Sequence, residues 1–216
     1  MGIKAFAANG IEAKDTPDRF SELAIAAYER HKQTGSKDDI SEAIDLAKQG
    51  IYLADNNNPL LAQWLNNLGS LLNYQYEQTG EMKDLEESIK QSRRAIKLAP
   101  DDHPDLAALL SNLGNKLAKR YKQTREIMDL DEAIEQARKV IELIPNDHPD
   151  LALYLDDLGN KLATRYERIG ETKDLEEAIK QARKSIKSTS NNHPATATRL
   201  NNLGIKLSIR PSTLSK

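Results

Sequence analysis

Apolar side chains recur along much of this chain at spacings of three and four, which place residues on one face of an α-helix. One such stripe consists of Leu106, Leu110, Leu113, Leu117 and Tyr121. A second stripe follows it and consists of Leu130, Ile134, Ala137 and Ile141. The two stripes predict two amphipathic helices, here called helix A and helix B, that follow each other as a hairpin.

The same pair of stripes returns every 45 residues, so the sequence is that of a repeat protein. Residues 110–121 read LSNLGNKLAKRY, and LDDLGNKLATRY follows at 155–166. Segments 104–148 and 149–193 are identical at 26 of 45 positions, which marks them as copies. The predicted division is an N-terminal segment at 1–14, repeats at 15–58, 59–103, 104–148 and 149–193, a half-repeat at 194–210 and a tail at 211–216.

A single hairpin of this kind cannot bury both of its stripes, so neighbouring hairpins must stack. The predicted fold is therefore all-α, a superhelix of stacked antiparallel helical hairpins. A repeated glycine supports close packing, because helix A carries it in every repeat except the first, which has Ala24. The glycines are Gly69, Gly114, Gly159 and Gly204.

Residues suited to helix ends mark where the predicted helices begin and stop. Pro104 is suited to the first turn of helix A in the third repeat. Helix A should stop near Gly35, Gly80 and Gly170, which suit a left-handed cap, while Arg125 departs from that pattern in the third repeat. Acidic pairs predict side-chain caps for the free N–H groups that begin helix B. These pairs are Asp39/Glu42, Asp84/Glu87, Asp129/Glu132 and Asp174/Glu177.

The spacing resembles that of the tetratricopeptide repeat, in which a Leu-Gly pair between large residues on helix A precedes small and large residues and a proline on helix B. The residues that carry the resemblance are Leu110, Leu113, Gly114, Leu117, Ala133, Ala137, Val140 and Pro145. The usual unit has about 34 residues, so the array is more similar to the elongated repeats of kinesin light chains. It also resembles arrays in large fungal proteins with a CHAT caspase-like protease or a nucleotide-binding signalling domain. The resemblance implies a protein-binding scaffold within a larger signalling protein.

Composition sets limits on function. The 31 Lys and Arg residues nearly balance the 33 Asp and Glu residues, so no net field attracts nucleic acid or an anionic membrane. The absence of cysteine excludes disulfides, thiolate metal sites and cysteine nucleophiles, and fits an intracellular protein. No apolar run reaches the roughly 20 residues that cross a bilayer. We therefore expect a cytoplasmic protein without a membrane partner.

Repeated histidines raise the question of a metal site. His103, His148 and His193 each precede a proline at a predicted helix start, and Asn58 fills the same position in the second repeat. A capping or loop role is favoured, because histidines one repeat apart lie too far from each other to share an ion. Adjacent carboxylates also occur, but one such pair belongs to a predicted cap. We expect no catalytic residue, no cofactor and no metal.

Cations also recur on helix A, four residues apart. The pairs are Lys116/Arg120, Lys161/Arg165 and Lys206/Arg210. Such a stripe could bind phosphates or an acidic partner, or it could be a solvated face that pairs with the acidic starts of the B helices. The near-zero net charge and the lack of interleaved aromatic residues favour the second interpretation and make nucleic acid the weakest of the partner hypotheses.

Polar residues rich in asparagine recur on helix A where the resemblance implies the concave groove. They are Asn66, Asn67, Ser70, Ser111, Asn112, Asn115, Asp156, Asp157, Asn160, Asn201 and Asn202. Asparagine carries donors and an acceptor, so a ladder of them can hold an extended peptide by its main-chain amides. The alternative is that they only solvate an exposed helix face. We expect a non-catalytic scaffold whose groove binds a peptide or a partner domain.

Self-association through the array ends is the alternative function. The half-repeat offers Leu200, Leu203 and Leu207 to cover the fourth hairpin, but Ile205 and Ile209 lie off that stripe. Terminal repeats normally need a polar outer face. A homo-oligomer formed through the C-terminal half-repeat is therefore the second hypothesis.

Overall fold

The computed structural model describes residues 16–189 and 193–209, and all regular structure within them is α-helical, as predicted. The helices are α1 (Pro17–Thr34), α2 (Lys37–Leu53), α3 (Leu61–Thr79), α4 (Met82–Leu98), α5 (Leu106–Thr124), α6 (Ile127–Leu143), α7 (Leu151–Ile169), α8 (Thr172–Lys187) and α9 (Thr196–Ser208). Odd-numbered helices are A helices and even-numbered helices are B helices. The predicted segment 1–14, the tail 211–216 and Arg210 lie outside the described residues.

The helices fall into two units. The first unit, Met1–His103, holds the hairpins α1/α2 and α3/α4, and the second unit, Pro104–Lys216, holds α5/α6, α7/α8 and α9. In the first unit α2 packs on α3, and in the second α6 packs on α7 and α8 packs on α9. Within each unit, successive hairpins therefore cover each other, which is the stacking that the two apolar stripes require.

Each hairpin turns through two residues, and the first of them is left-handed. Gly35, Gly80 and Gly170 have φ of 70°, 73° and 75°. Arg125 takes the same conformation with φ of 62°, and it is the one non-glycine residue with positive φ in the described parts of the chain. Its guanidinium lies 5.9 Å from the ring centroid of Tyr121, a cation–π contact that offsets part of the backbone cost. The predicted ends of helix A are confirmed.

The predicted side-chain caps of helix B are wrong. Helix α6 begins at Ile127, two residues before Asp129, and no B helix has an N-cap side chain that makes a capping hydrogen bond. Asp129 instead accepts two hydrogen bonds from Arg120 of α5, at 2.8 and 2.5 Å. Arg165 and Asp174 form the same fork at 2.7 Å in both bonds. The prediction failed because a guanidinium on the partner helix offers a carboxylate a stronger bidentate contact than a backbone N–H does.

The first hairpin has a variant of the fork that is shared between two carboxylates, and the second hairpin lacks the arginine. Arg30 donates to Asp39 at 2.6 Å and also binds Glu42. In the second hairpin the residue at the arginine position is Gln75. Asp84, which is only 7% exposed, has an Oδ2 atom with no hydrogen-bond partner among the described residues. One buried carboxylate oxygen thus lacks the donor that the other hairpins supply.

The links from helix B to the next helix A contain a turn that a side chain closes. His148 Nδ1 accepts from the backbone N–H of Asp150 at 3.1 Å, and Asn58 Oδ1 accepts from that of Leu60 at 2.8 Å. His193 Nδ1 accepts in the same way from the backbone N–H of Ala195, at 3.1 Å. The predicted loop role is thus confirmed for these side chains. Pro104 lies in such a link, because α5 begins only at Leu106, so the prediction that it enters the first helical turn is wrong.

The repeated glycine brings each A helix close to its own B helix. A Cβ at Gly114 would lie 3.3 Å from the carbonyl oxygen of Ala133, and a Cβ at Gly159 would lie 3.2 Å from that of Ala178. At Gly204 a Cβ would meet no described atom within 4 Å. The Leu-Gly motif therefore serves packing inside the hairpin, where two backbones meet.

The leucine stripe of α9 does not cover the fourth hairpin, contrary to prediction. Leu200 and Leu207 are 52% and 38% exposed, whereas Leu155 and Leu162 at the same positions of α7 are fully buried. In complete repeats this stripe packs on the repeat's own B helix, and the described residues contain no such helix for α9. Helix α9 packs on α8 and α7 with Lys206 buried instead.

Candidate functional site

In the second unit, predicted groove asparagines take part in hydrogen bonds between successive A helices. Lys161 Nζ of α7 donates to Asn115 Oδ1 of α5 at 2.9 Å. Lys206 Nζ of α9 donates to Asn160 Oδ1 of α7 at 2.7 Å. The carbonyl oxygens of both asparagines are therefore bonded within the second unit, and their amide N–H groups donate to no residue that the structure describes.

Both lysines lie over the repeated glycine of the preceding A helix. The Cε atom of Lys161 would lie 3.8 Å from a Cβ at Gly114, and that of Lys206 would lie 3.6 Å from a Cβ at Gly159. Lys161 also forms an ion pair with Asp157. Burial lowers the pKa of Lys161 and of Lys206, and at Lys161 the Asp157 carboxylate opposes that shift. Each lysine fills the space above a glycine and joins two A helices.

This arrangement corrects the interpretation of the basic stripe as a solvated face. The lysines Lys116, Lys161 and Lys206 are only 5%, 5% and 3% exposed. The predicted pairing with the acidic starts of the B helices is confirmed for Arg120 and Arg165 through the forks described above. The hydrogen bonds that Arg165 donates to Asp174 raise the pKa of the Arg165 guanidinium further above its ordinary value. Arg120, Lys161 and Arg165 therefore form ion pairs within the second unit.

The remaining predicted residues of the second unit lie on the A helices as expected. Asp156 Oδ2 accepts from Asn202 Nδ2 at 3.4 Å, and Asp156 Oδ1 is buried with no partner among the described residues. Ser111 and Asn112 are half-buried on α5, and Asn201 is exposed on α9. Their role as a ligand-binding surface stays a prediction.

The first unit contains a cavity of about 330 Å³ between α1, α2 and α3. Its walls are mostly apolar, and the residues that shape it include Ala24, Tyr28, Ala47, Trp64, Asn67 and Ser70. Asn67 and Ser70 belong to the predicted groove set, and Asn66 lies beside them on α3. The structure thus brings part of the predicted set to an open cavity.

The cavity exists because the first unit lacks the side chain that fills the equivalent space in the second. Leu71 stands at the position of Lys161, and a leucine is too short to reach across the preceding A helix. Gly50 stands at the position of Val140, and its lack of a side chain lets α1 pack directly against α2 beside the cavity. A Cβ at Gly50 would lie 3.0 Å from the carbonyl oxygen of Pro17, so α1 comes too close there for a larger residue.

Polar groups at the cavity can orient a ligand. The Asn67 side chain is half-buried and makes no hydrogen bond to any residue that the structure describes. Ser70 Oγ donates to the backbone oxygen of Asn66 at 3.0 Å, which leaves its oxygen able to accept. Trp64, the single tryptophan of the sequence, is 6% exposed and forms part of the wall. Sequence reasoning missed Trp64 and Tyr28, although an aromatic residue one turn before the groove positions was an available signal.

Other chemistry finds no support in the described parts of the chain. They contain no group of three or more His, Cys, Asp or Glu side chains placed to bind a metal ion. Nor does any helix there combine the length and apolar character needed to cross a membrane.

Comparisons with known proteins agree with the repeat architecture. Residues 61–105 match the family model described as tetratricopeptide repeat. No curated protein sequence matches the chain.

Several solved structures share the fold. The chain is similar to a Podosopora anserina putative kinesin light chain with nearly identical TPR-like repeats, with a TM-score of 0.65, 16% identity and coverage of 90% of this chain and 88% of that one. It is similar to YrrB, a TPR protein with an unusual peptide-binding site, with a TM-score of 0.61, 16% identity and coverage of 95% and 81%. BtubC from P. vanneervenii gives a TM-score of 0.57 at 15% identity, with coverage of 92% and 84%.

The stacked helical hairpins, together with the similarity to these solved structures, place the fold in the class of all-α superhelical repeat proteins. The tetratricopeptide-repeat model matches one 45-residue unit of the chain, and the predicted resemblance to kinesin-light-chain-like repeats is confirmed at the level of the fold. Arrays of this kind are in general non-catalytic scaffolds that bind proteins or peptides.

Proposed function

We propose that this chain is a scaffold that holds a peptide segment of a partner protein along its A helices, with the cavity of the first unit receiving a large apolar side chain of that peptide. The observation that carries the proposal is the cavity itself, which is apolar in its walls and has the Asn67 amide and the Ser70 hydroxyl at its edge. Pockets of this composition take apolar groups and use a few polar groups to fix orientation.

The groove asparagines of the second unit support a peptide-binding role for that unit as well. Asn115 and Asn160 have their oxygens bound by lysines, so their N–H groups are oriented as donors for main-chain carbonyls. YrrB, which has this fold, is described as having a peptide-binding site. A groove whose side chains are already fixed spends little ordering entropy when a flexible peptide docks. In this proposal the chain works in the cytoplasm as part of a larger signalling protein.

The test begins with a random peptide library displayed on phage, selected against the full chain. We expect the selected peptides to share a large apolar residue. Synthetic versions without tryptophan are then titrated while the fluorescence of Trp64 is followed, because this single tryptophan lies in the cavity wall. Ser70→Phe should fill the mouth of the cavity and raise Kd by about tenfold or more, the equivalent of losing about 1.4 kcal/mol.

Asn67→Ala should weaken binding by about two- to tenfold, since one hydrogen bond contributes about 0.5–1.5 kcal/mol. Gln78→Phe is the matched control, because it adds the same side chain at an exposed position of α3 away from the cavity. Unchanged Kd values in both Ser70→Phe and Asn67→Ala would overturn the proposal.

Self-association is the second candidate, and the exposed apolar residues of α9 favour it. Leu200 and Ile205 are 52% and 51% exposed, and Leu207 is 38% exposed. Light scattering of the full chain at increasing concentration should then show a mass above that of one chain, and Leu200→Ser with Leu207→Ser should restore the single-chain mass. A single-chain mass at the highest concentration would exclude this candidate.

A further inference from the structure

A second cleft in the first unit lies between the B helices α2 and α4. Its volume is about 420 Å³, and its polar lining consists of Lys48, Tyr52, Asn56, Gln91 and Arg94. Leu68 and Ile51 supply apolar surface. None of the predicted groove residues lines it, and Ile51 is the one described residue that it shares with the cavity proposed above as a binding site.

The lining of the cleft is cationic. Lys48 Nζ has its nearest carboxylate oxygen in Asp45, one turn away on the same helix and 4.0 Å distant. Arg94 is exposed and forms no ion pair with any residue in the described ranges. No carboxylate lines the cleft. Two positive side chains therefore face a common space without a carboxylate between them.

The cleft also contains a buried acceptor without a donor. Gln91 is 7% exposed, and its Nε2 donates to Glu87 Oε1 at 2.5 Å. That bond fixes the orientation of the amide, and Oε1 is left buried without a partner among the described residues. A buried acceptor in this state costs free energy unless a ligand supplies an N–H or O–H group.

The equivalent place in the second unit is closed by an ion pair. Arg138 of α6, at the position of Lys48, donates to Glu177 Oε2 of α8 at 2.6 Å. Glu87 stands at the position of Glu177, but it binds Lys90 and Gln91 within its own helix. The exposed Tyr52 also replaces an acidic residue of the second unit. The first unit thus lacks the ion pair that joins two B helices in the second unit, and it has an open cationic cleft at the equivalent place.

We propose that this cleft binds an acidic peptide segment of a partner protein. A side-chain carboxylate of the peptide lies between Lys48 and Arg94, a main-chain N–H donates to Gln91 Oε1, and a neighbouring side chain packs on Tyr52. A phosphate ester dianion satisfies the two cations but offers no donor to Gln91, so a peptide fits the combination of charges and acceptor better than such a phosphate does.

The test uses the full chain and a labelled, acetylated and amidated hexapeptide of alternating Glu and Leu, at a low ionic strength of about 50 mM to limit screening. Fluorescence anisotropy should show binding that is about tenfold or more tighter than that of the matching Gln and Leu peptide. The double variant Lys48→Glu with Arg94→Glu should lose binding by about tenfold or more. Lys83→Glu with Lys97→Glu changes the net charge equally at exposed positions outside the cleft and should leave Kd within about twofold.

Gln91→Leu separates the acceptor from the charges. It should weaken peptide binding about threefold while leaving the melting temperature unchanged or higher, because it removes an unsatisfied buried oxygen. Ser70→Phe should leave this binding unchanged, so failure here is distinguishable from failure of the proposed groove. Equal affinity for the Glu and Gln peptides, displacement by millimolar inorganic phosphate, or an equal loss in the control double variant would each overturn the proposal.

Discussion

Single side chains decide how firmly each A helix is joined to its B helix. Arg30, Arg120 and Arg165 each bind the aspartate nine positions later in the chain. The remaining complete hairpin has Gln75 at this position, and Asp84 keeps a buried oxygen without a partner among the described residues. This hairpin is therefore the place where one substitution should add an interaction that its neighbours already have.

We expect Gln75→Arg to raise the free energy of unfolding by about 1–3 kcal/mol, because it supplies charged donors to a buried carboxylate. Urea denaturation followed by circular dichroism measures the change. Gln78→Arg adds the same charge at an exposed position of the same helix and should change stability by less than about 0.5 kcal/mol. Equal effects of the two variants would show that the fork contributes nothing in this hairpin.

The buried lysines predict a dependence of stability on pH. Burial lowers the pKa of Lys116 from 10.5 to about 8. Between these values the unfolded chain holds the proton and the folded chain does not, so the unfolded state binds more protons and stability rises with pH. The rise should be on the order of 2–3 kcal/mol between pH about 8 and about 10.

Lys116→Met removes the titrating group while keeping the length of the side chain, and it should make this rise shallower. Exposed Lys97→Met is the control, and its slope should equal that of the parent chain. The measurement is urea denaturation at a series of pH values. If Lys116→Met has the parent slope, the lysine is not the group that titrates.

At the scale of the helices, the repeated glycine sets the distance between the two members of a hairpin. The same Leu-Gly motif occurs in α5 and in α9. A Cβ at Gly114 would lie within 4 Å of a backbone carbonyl of a B helix, whereas a Cβ at Gly204 would not. The two positions therefore form a natural comparison, in which the local sequence is similar and the packing differs.

Gly114→Leu should destabilise the chain by about 1–3 kcal/mol or more, because the new side chain overpacks the contact with Ala133. Gly204→Leu should be neutral or stabilise by up to about 1 kcal/mol, since helix propensity is then the main effect. Thermal unfolding of both variants is the measurement. Similar losses at the two positions would mean that the glycine serves the helix itself rather than the hairpin.

The helices and their pairing could be predicted from the sequence, because the spacing of apolar residues and the 45-residue period fix both. The starts of the B helices could not. Asp129 has the composition and spacing of a helix cap, but Arg120 reaches it from the partner helix, and such a contact follows only from the folded hairpin. The burial of Lys161 escaped prediction for a similar reason, since the space above Gly114 that receives it forms only when repeats stack.

At the scale of the whole molecule, the candidate site depends on a difference between repeats rather than on what they share. The asparagine set follows from the repeated pattern, and its positions on the A helices could be predicted. The cavity could not be predicted, because it arises where Leu71 replaces the lysine of the second unit, and only the packed unit shows that nothing else fills the space.

Restoring the common pattern should close the cavity. Ile25→Asn with Leu71→Lys recreates in the first unit the pair that Lys161 and Asn115 form in the second. We expect the double variant to fold and to bind the selected apolar peptides about tenfold more weakly or worse. Titration of Trp64 fluorescence measures this, and Ile25→Asn alone, which lacks the lysine, should lose much less. Equal affinity of the double variant and the parent chain would argue against the cavity as the binding site.

Because Lys161 and Lys206 each reach backwards to the asparagine of the previous repeat, the second unit has a direction along which copies can be inserted. A gene with residues 149–193 duplicated would encode a longer protein in which every new junction repeats the Lys206–Asn160 pattern. Duplicating residues 59–103 would instead pair Leu71 of one copy with Ser70 of the copy before it, where the second unit pairs a lysine with an asparagine. We expect each added copy to bring another pocket that can receive a side chain of a bound peptide.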